Sequence, residues 1–351
     1  MKENYICAVP FTSLEVHDHK RFLCCASWLT KYLPEDSSPK EAWHSAEANE
    51  IRDSILDGSY KHCDSNQCPF LDKLKKGSSH APLYRKDDLP YWLEKTIKNY
   101  NRKKDIKPRV VQFSFDRSCN LKCPSCRIEI ITASSKKIKA VKATIEEIEN
   151  DFADSITSLY ITGSGDPFIS VGFRDFLRNF DRSKYPNIKN IHLHTNATKW
   201  NKKMWDSMPN VHGLVKTCEI SIDAGTKETY ETKTRIGGNW DELIENLKFI
   251  STIPSITNVK PSFVVQKHNY KEMQIFYDLM ISIFGDRCRP FYGKINNWGT
   301  FSEEEYKFHK VWDKEHPEFD LFIKEVNKLF PSAGAWGNLE EYITRESSYA
   351  I

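Results

Sequence analysis

No apolar run in this sequence approaches the ~18–20 residues that a membrane-spanning helix needs. The opening Met1-Lys2-Glu3-Asn4 lacks the apolar core of a signal peptide. Charge of one sign is also missing: Lys+Arg is 51 against Asp+Glu 48, for a formal net charge of +3. That balance gives no strong bias toward nucleic acid or a membrane surface. Internal repeats and low-complexity tracts are absent as well, which excludes solenoids and compositionally disordered chains. A cytoplasmic, membrane-free protein is the expectation. Apolar residues at 39% and charged residues at 28% are ordinary for a globular chain. A length of 351 residues fits one large α/β domain with an accessory domain.

What is present is cysteine in groups. Of ten cysteines, Cys7, Cys24, Cys25, Cys63 and Cys68 form one group and Cys119, Cys123 and Cys126 another, with Cys218 and Cys288 alone. In a reducing compartment a disulfide framework is not expected. Grouped thiols there read as ligands of a metal or cluster.

The chain reads as four stretches. Residues 1–90 hold the first cysteine group and little strand–helix alternation, with one readable helix over Ala42–Leu56 and Gly58 just past its end. Residues 91–108 are a basic helix and linker, with Lys95, Lys98, Arg102, Lys103, Lys104 and Lys107, and Arg109 follows; a solvated face is the ordinary reading of such a run. From 109 to 292 strands alternate with helices. Strands are expected at 110–115, 158–162, 191–195, 218–222, 260–265 and 287–292. Helices are expected at 144–154 (opened by a Thr144-to-Glu147 capping box), 173–180, 204–208, 240–250 and 270–284. That alternation demands a parallel sheet with crossovers. Five or six such units suggest a partial TIM-type (β/α)6 barrel, preceded by the small cysteine-rich domain. Residues 293–351 are read as an extension packing on it, with Trp298, Trp312 and Trp336.

Cys119, Cys123 and Cys126 lie in the loop after the first of these strands, on the barrel face where chemistry concentrates. Iron–sulfur clusters take thiolates, usually four. Three cysteines with no neighbouring histidine leave one iron open, and an open position marks catalysis rather than structure. Structural zinc would want four ligands. The segment Cys119-Asn-Leu-Lys-Cys123-Pro-Ser-Cys126 resembles the CxxxCxxC signature of radical S-adenosylmethionine enzymes. The resemblance implies a 4Fe-4S cluster whose fourth iron is chelated by S-adenosylmethionine. It implies reductive cleavage to a 5′-deoxyadenosyl radical, and an external electron donor of the flavodoxin or ferredoxin type. Ser125 departs from the aromatic residue often found before the third cysteine.

Other strand ends extend the resemblance. Thr162-Gly163-Ser164-Gly165-Asp166-Pro167 looks like the family's Gly-Gly-Glu-Pro motif, with Ser164 and Asp166 as departures. Glycines there admit backbone carbonyls close to an ammonium, and a carboxylate adds charge. Asn196 stands where the family places a polar contact to ribose or carboxylate. On the fourth strand Glu219, Ser221 and Asp223 share one face and Cys218, Ile220 and Ile222 the other. The run from Asp223 to Tyr230, then Arg235 to Trp240, resembles the peptide-modifying and dehydrogenase branch of the family. The resemblance carries ribose contacts to Ser221 and Asp223, the methionine carboxylate to Arg235, and an adenine contact to Gln266. Glu219 is a candidate substrate-facing acid.

The N-terminal cysteines resemble the auxiliary-cluster domains called SPASM and twitch, in an unusual order, before rather than after the radical domain. Cys7, Cys24, Cys63 and Cys68 would hold a second, fully ligated 4Fe-4S cluster, with Cys25 the rival of Cys24 and tetrathiolate zinc the alternative. Such a cluster suits electron transfer. Cys218 and Cys288 read as buried free thiols.

The expected activity is hydrogen-atom abstraction from a peptide or protein substrate, with a sugar or other small-molecule dehydrogenase as the alternative. A non-catalytic zinc protein binding nucleic acid is the distant one.

Overall fold

A computed structural model describes residues 4–77, 81–329 and 336–343. The chain divides into two compact units. The first comprises residues 4–116, 135–164 and 181–190, and the second residues 117–134, 165–180 and 191–343, within the described range. Parts of the C-terminal extension, 330–335 and 344–351, lie outside the described residues.

Eleven strands are described: β1 Tyr5–Cys7, β2 Ser13–His17, β3 Arg21–Phe22, β4 Leu83–Arg85, β5 Val110–Ser114, β6 Ser158–Ile161, β7 Asn190–Thr195, β8 Val215–Ser221, β9 Asn258–Val265, β10 Phe291–Lys294 and β11 Trp336–Gly337. In the first unit β2, β5 and β6 run parallel in the order β3-β2-β5-β6, with β3 antiparallel at the edge. β1 and β4 form a separate antiparallel pair. In the second unit β7-β8-β9-β10-β11 are all parallel. The protein is thus α/β with parallel sheet, as the alternation of elements demanded, and within neither unit do the strands close into a barrel.

The differences from expectation have local causes. Helix 42–56 is two helices, Pro39–His44 and Ala46–Leu56. Ser45 ends the first in an extended conformation and caps the second by accepting the Ala48 N–H. Ser38 opens the first with a capping box to Glu41. The helix expected from residue 144 begins at Ser135, and Thr144 lies inside it, its hydroxyl donating to the Ala140 carbonyl. Lys136 to Ala140 are good helix formers, and Val141, Ile145, Ile148 and Phe152 make one buried stripe. The sixth expected strand shifts to Phe291–Lys294. A 3-10 turn at Gly285–Arg287 intervenes, and Arg287 donates to the carbonyls of Ser251, Ile253 and Ile256.

The first ninety residues hold more regular structure than their sequence showed. β2 pairs in parallel with β5 from Ser13↔Val110 to His17↔Ser114. The basic stretch forms the helix Tyr91–Asn101 and the segment after it, where Lys107 pairs with Asp154 at 3.0 Å and the Arg109 guanidinium lies over the Trp92 ring. In the C-terminal part, helix Phe319–Leu329 buries Phe322 against Tyr270 and Tyr342. Among the described residues no helix is long and apolar enough to cross a membrane.

Candidate radical-chemistry site

The loop 117–134 is tied to itself and to its neighbours by backbone. Cys119 and Ile131 exchange N–H···O=C bonds at 2.9 and 3.2 Å, and the N–H groups of Cys126 and Arg127 both donate to the Cys123 carbonyl at 2.9 Å. The Asp166 N–H donates to Ser118 O, and the Lys122 N–H to Ile236 O. Cys119 and Cys123 are buried and Cys126 is exposed.

Each of the three sulfurs meets a side-chain N–H donor from a different place. Asn196 Nδ2 lies 3.6 Å from Cys119 Sγ, Arg235 Nη1 3.4 Å from Cys123 Sγ, and Arg127 Nη2 3.3 Å from Cys126 Sγ. Burial pushes the Cys119 and Cys123 thiols up, while Arg127 lowers the first and Arg235 the second. Donors and cations aimed at sulfur suit thiolates rather than thiols.

Arg235 is largely enclosed, its side chain 12% exposed. Its Nη2 pairs with Asp223 Oδ2 at 2.7 Å, and Nε is a buried N–H without a partner, as is the Tyr230 hydroxyl beside it. Burial works against the charged guanidinium, but Asp223 and Cys123 more than offset it and hold Arg235 protonated. A π-turn at Tyr230–Thr234, closed by the Arg235 N–H on the Tyr230 carbonyl, delivers the side chain. Gly238 permits this, because a Cβ there would stand 2.6 Å from the Tyr230 ring.

The remaining expected site residues sit at strand ends. Gly163 and Gly165 flank Ser164 after β6, and Ser164 Oγ donates to the Ser114 carbonyl. The buried Asp166 is spent on the loops: it accepts from Phe168 N–H, Thr195 Oγ1 and Asn196 N–H at 2.7–3.0 Å. Ser221 contacts His194 Nε2 at 3.0 Å. Asp223 Oδ1 accepts the Val264 N–H. Gln266 is buried, its N–H on Asn269 Oδ1. Thr162, Ala197 and Asp223, just beyond β6, β7 and β8, all have positive φ, a costly backbone state that concentrates at functional sites.

Sequence reading missed several participants. Arg127 directly follows Cys126, and proximity was its only signal. His194 and Lys260 flank Glu219 at 3.9 and 2.8 Å, and parity along β7 and β9 would have found them. Asn269 bridges the Asp223 and Val264 carbonyls, which sequence alone does not show. Cys218, on the opposite face of β8 from Glu219, is fully buried, and burial pushes Cys288 up to about 12.

In the first unit the five other thiols gather. Cys7 feels Cys63 and Cys68, and Cys24 feels Cys7, Cys68 and Cys25; burial is the larger effect and pushes Cys7 up to about 12. Leu29 and Cys63 form an antiparallel bridge, and Cys68 caps the helix Pro69–Lys75. Cys25 Sγ lies 3.3 Å from Ser27 Oγ. Among the described residues no three His, Cys, Asp or Glu side chains converge tightly enough for a single metal ion. A four-iron cluster spreads its thiolates over separate irons.

Residues 113–280 match the family model described as Radical SAM superfamily. This segment is similar to radical SAM domains. Streptococcus suis SuiB bound to its precursor peptide SuiA is similar at 16% identity and TM-score 0.45, over 83% of this chain and 62% of SuiB. SuiB bound to S-adenosylmethionine is similar at 19% and 0.44, over 76% and 59%. The hydrogenase maturase HydG from Carboxydothermus hydrogenoformans is similar at 11% and 0.41, over 71% and 59%. The chain thus spans about three fifths of the length of these proteins. No curated protein sequence matches it.

Proposed function

We propose that this chain is a radical SAM enzyme holding a 4Fe-4S cluster on Cys119, Cys123 and Cys126. The observation that carries the reading is the set of three loop thiols, each met by its own N–H donor, inside a segment similar to radical SAM domains. Bound S-adenosylmethionine would supply, on reductive C–S cleavage, a carbon-centred radical able to remove a hydrogen atom. The chain's own part is to bind and orient. Asn196, Arg127 and Arg235 stabilise negative charge on sulfur. Arg235 keeps one buried N–H, Nε, for an anionic group of the ligand. Gly163, Gly165, Asp166, Ser221, Asp223 and Gln266 stand at the strand ends assigned to the cofactor by resemblance.

Cys7, Cys24, Cys63 and Cys68 are assigned a second 4Fe-4S cluster in a SPASM- or twitch-like domain, with electron transfer as its task. Their mutual proximity in the first unit supports a shared inorganic centre. Cys25, next to Cys24 in the chain, is the rival for its place. The favoured substrate is a peptide or protein, on the resemblance of residues 223–240 to the peptide-modifying and dehydrogenase branch. A sugar or other small-molecule alcohol is the alternative, and an external flavodoxin- or ferredoxin-type donor supplies electrons.

Anaerobic reconstitution followed by dithionite and S-adenosylmethionine tests this. The expected product is 5′-deoxyadenosine from a brown protein carrying about eight irons, if both sites hold four-iron clusters. A fully iron-loaded protein that yields no nucleoside would end the reading.

A further inference from the structure

Three neighbouring parallel strands carry a charged row in register. His194 on β7 stands opposite Glu219 on β8, and Glu219 opposite Lys260 on β9. Lys260 Nζ pairs with Glu219 Oε2 at 2.8 Å, and its ammonium lies 4.2 Å from the centre of the Phe291 ring. The other oxygen, Oε1, is 3.9 Å from His194 Nε2. The same Nε2 is 3.0 Å from Ser221 Oγ, two residues further along the face of β8 that carries Glu219. One ring nitrogen therefore meets both the carboxylate and the hydroxyl.

A negative oxygen near Nε2 favours the form of the ring that is protonated there. His194 then donates to Ser221 Oγ. A hydroxyl that accepts from a fixed N–H directs its own hydrogen elsewhere. Holding an ion pair on an inner strand face is costly unless it organises something, and here it organises the imidazole.

We propose that His194, oriented by the Glu219–Lys260 pair, is a positioning residue that sets Ser221 as a hydrogen-bond donor toward the ribose hydroxyls of bound S-adenosylmethionine. This rests on the cofactor reading above, in which Ser221 faces the ribose.

The test measures S-adenosylmethionine binding by equilibrium dialysis to the reconstituted, unreduced protein, with iron content as the control for folding. Gln places its side-chain nitrogen near the position of Nε2, and Asn near that of Nδ1. Ser221→Ala and His194→Asn should each weaken binding about tenfold, the loss of one useful hydrogen bond. His194→Gln should stay within about twofold of the parent. The Ser221→Ala/His194→Asn double variant should bind no more weakly than Ser221→Ala alone, because both changes remove one shared interaction. Losses that multiply to about a hundredfold would overturn the proposal, since they mark independent sites. Equal losses in the Asn and Gln variants would also overturn it, because a packing role does not distinguish the two nitrogens. Unchanged binding in His194→Asn beside weakened binding in Ser221→Ala overturns the role of His194 alone. Unchanged binding in Ser221→Ala overturns the cofactor assignment itself. Should His194→Asn fail to take up iron, Glu219→Gln serves instead: about threefold weaker binding, absent in the Ser221→Ala background, supports the proposal, and parental binding overturns it.

Discussion

The two cysteine groups use opposite electrostatics. Around Cys119, Cys123 and Cys126 stand Arg127 from the loop itself, Arg235 from the π-turn after β8 and Asn196 from the end of β7. Around Cys7, Cys24 and Cys68 burial is the leading effect and raises all three thiols, with neighbouring thiols adding to it. A centre compensated by cations and short of one protein ligand is built to hold a further charged ligand. The second group, on the proposed reading, would supply four thiolates and so leave no position for a further ligand. Number of thiols alone would not have separated them.

The largest expected effect breaks the comparison at its root. Cys123→Ala should remove the first cluster and abolish 5′-deoxyadenosine formation, with iron reduced by about half. Cys63→Ala should lose a similar share of iron yet retain part of the nucleoside yield. Equal loss of activity in both variants would show that the groups are not functionally distinct. Iron analysis and product chromatography on each reconstituted variant decide it.

Next in size is Asp223→Asn. The Asp223 carboxylate is fully buried and its Arg235 partner nearly so. Removing one member of a buried pair strands the other's charge, which costs about 3–5 kcal/mol. Urea unfolding should report a loss of that order.

Acid sharpens the contrast further. His192 and His309 are both lowered from 6.5 to about 4, mainly by burial. Folded, they bind protons more weakly than the unfolded chain does. Their stabilising effect is complete above about pH 6.5 and is lost as pH falls through about 4. Melting temperature should therefore fall across that window, and a His192→Gln/His309→Gln variant should show a shallower slope.

The smallest effect concerns potential. Arg127→Gln removes a cation and an N–H donor from Cys126. Less stabilisation of added negative charge should lower the reduction potential of the first cluster and leave the second unchanged. A redox titration followed by electron paramagnetic resonance reads both.

Much of the fold was legible because strands β5 to β10 are apolar runs on a regular spacing, and parallel order follows from the helices between them. The N-terminal strands β2 and β3 were not, since β3 has two residues and no regular strand–helix alternation in the sequence frames either of them. The split at Ser45 was hidden because a capping serine inside two adjoining helical patterns looks like a tolerated interior residue. The cysteine groups stood out by spacing, and the shared face of Glu219 and Ser221 by alternation, whereas Asp223 lies past the end of β8 with positive φ, outside that alternation.

What the sequence by itself determined is therefore local and periodic: the thiol groupings, the β/α alternation, and which residues of β8 share a face. Only the tertiary structure decided that Arg235 reaches Cys123 and Asp223, that Asp166 is consumed by the loops, and that His194, Glu219 and Lys260 form one row. Those depend on strand register and loop conformation, which join residues tens of positions apart. No short-range pattern encodes that pairing.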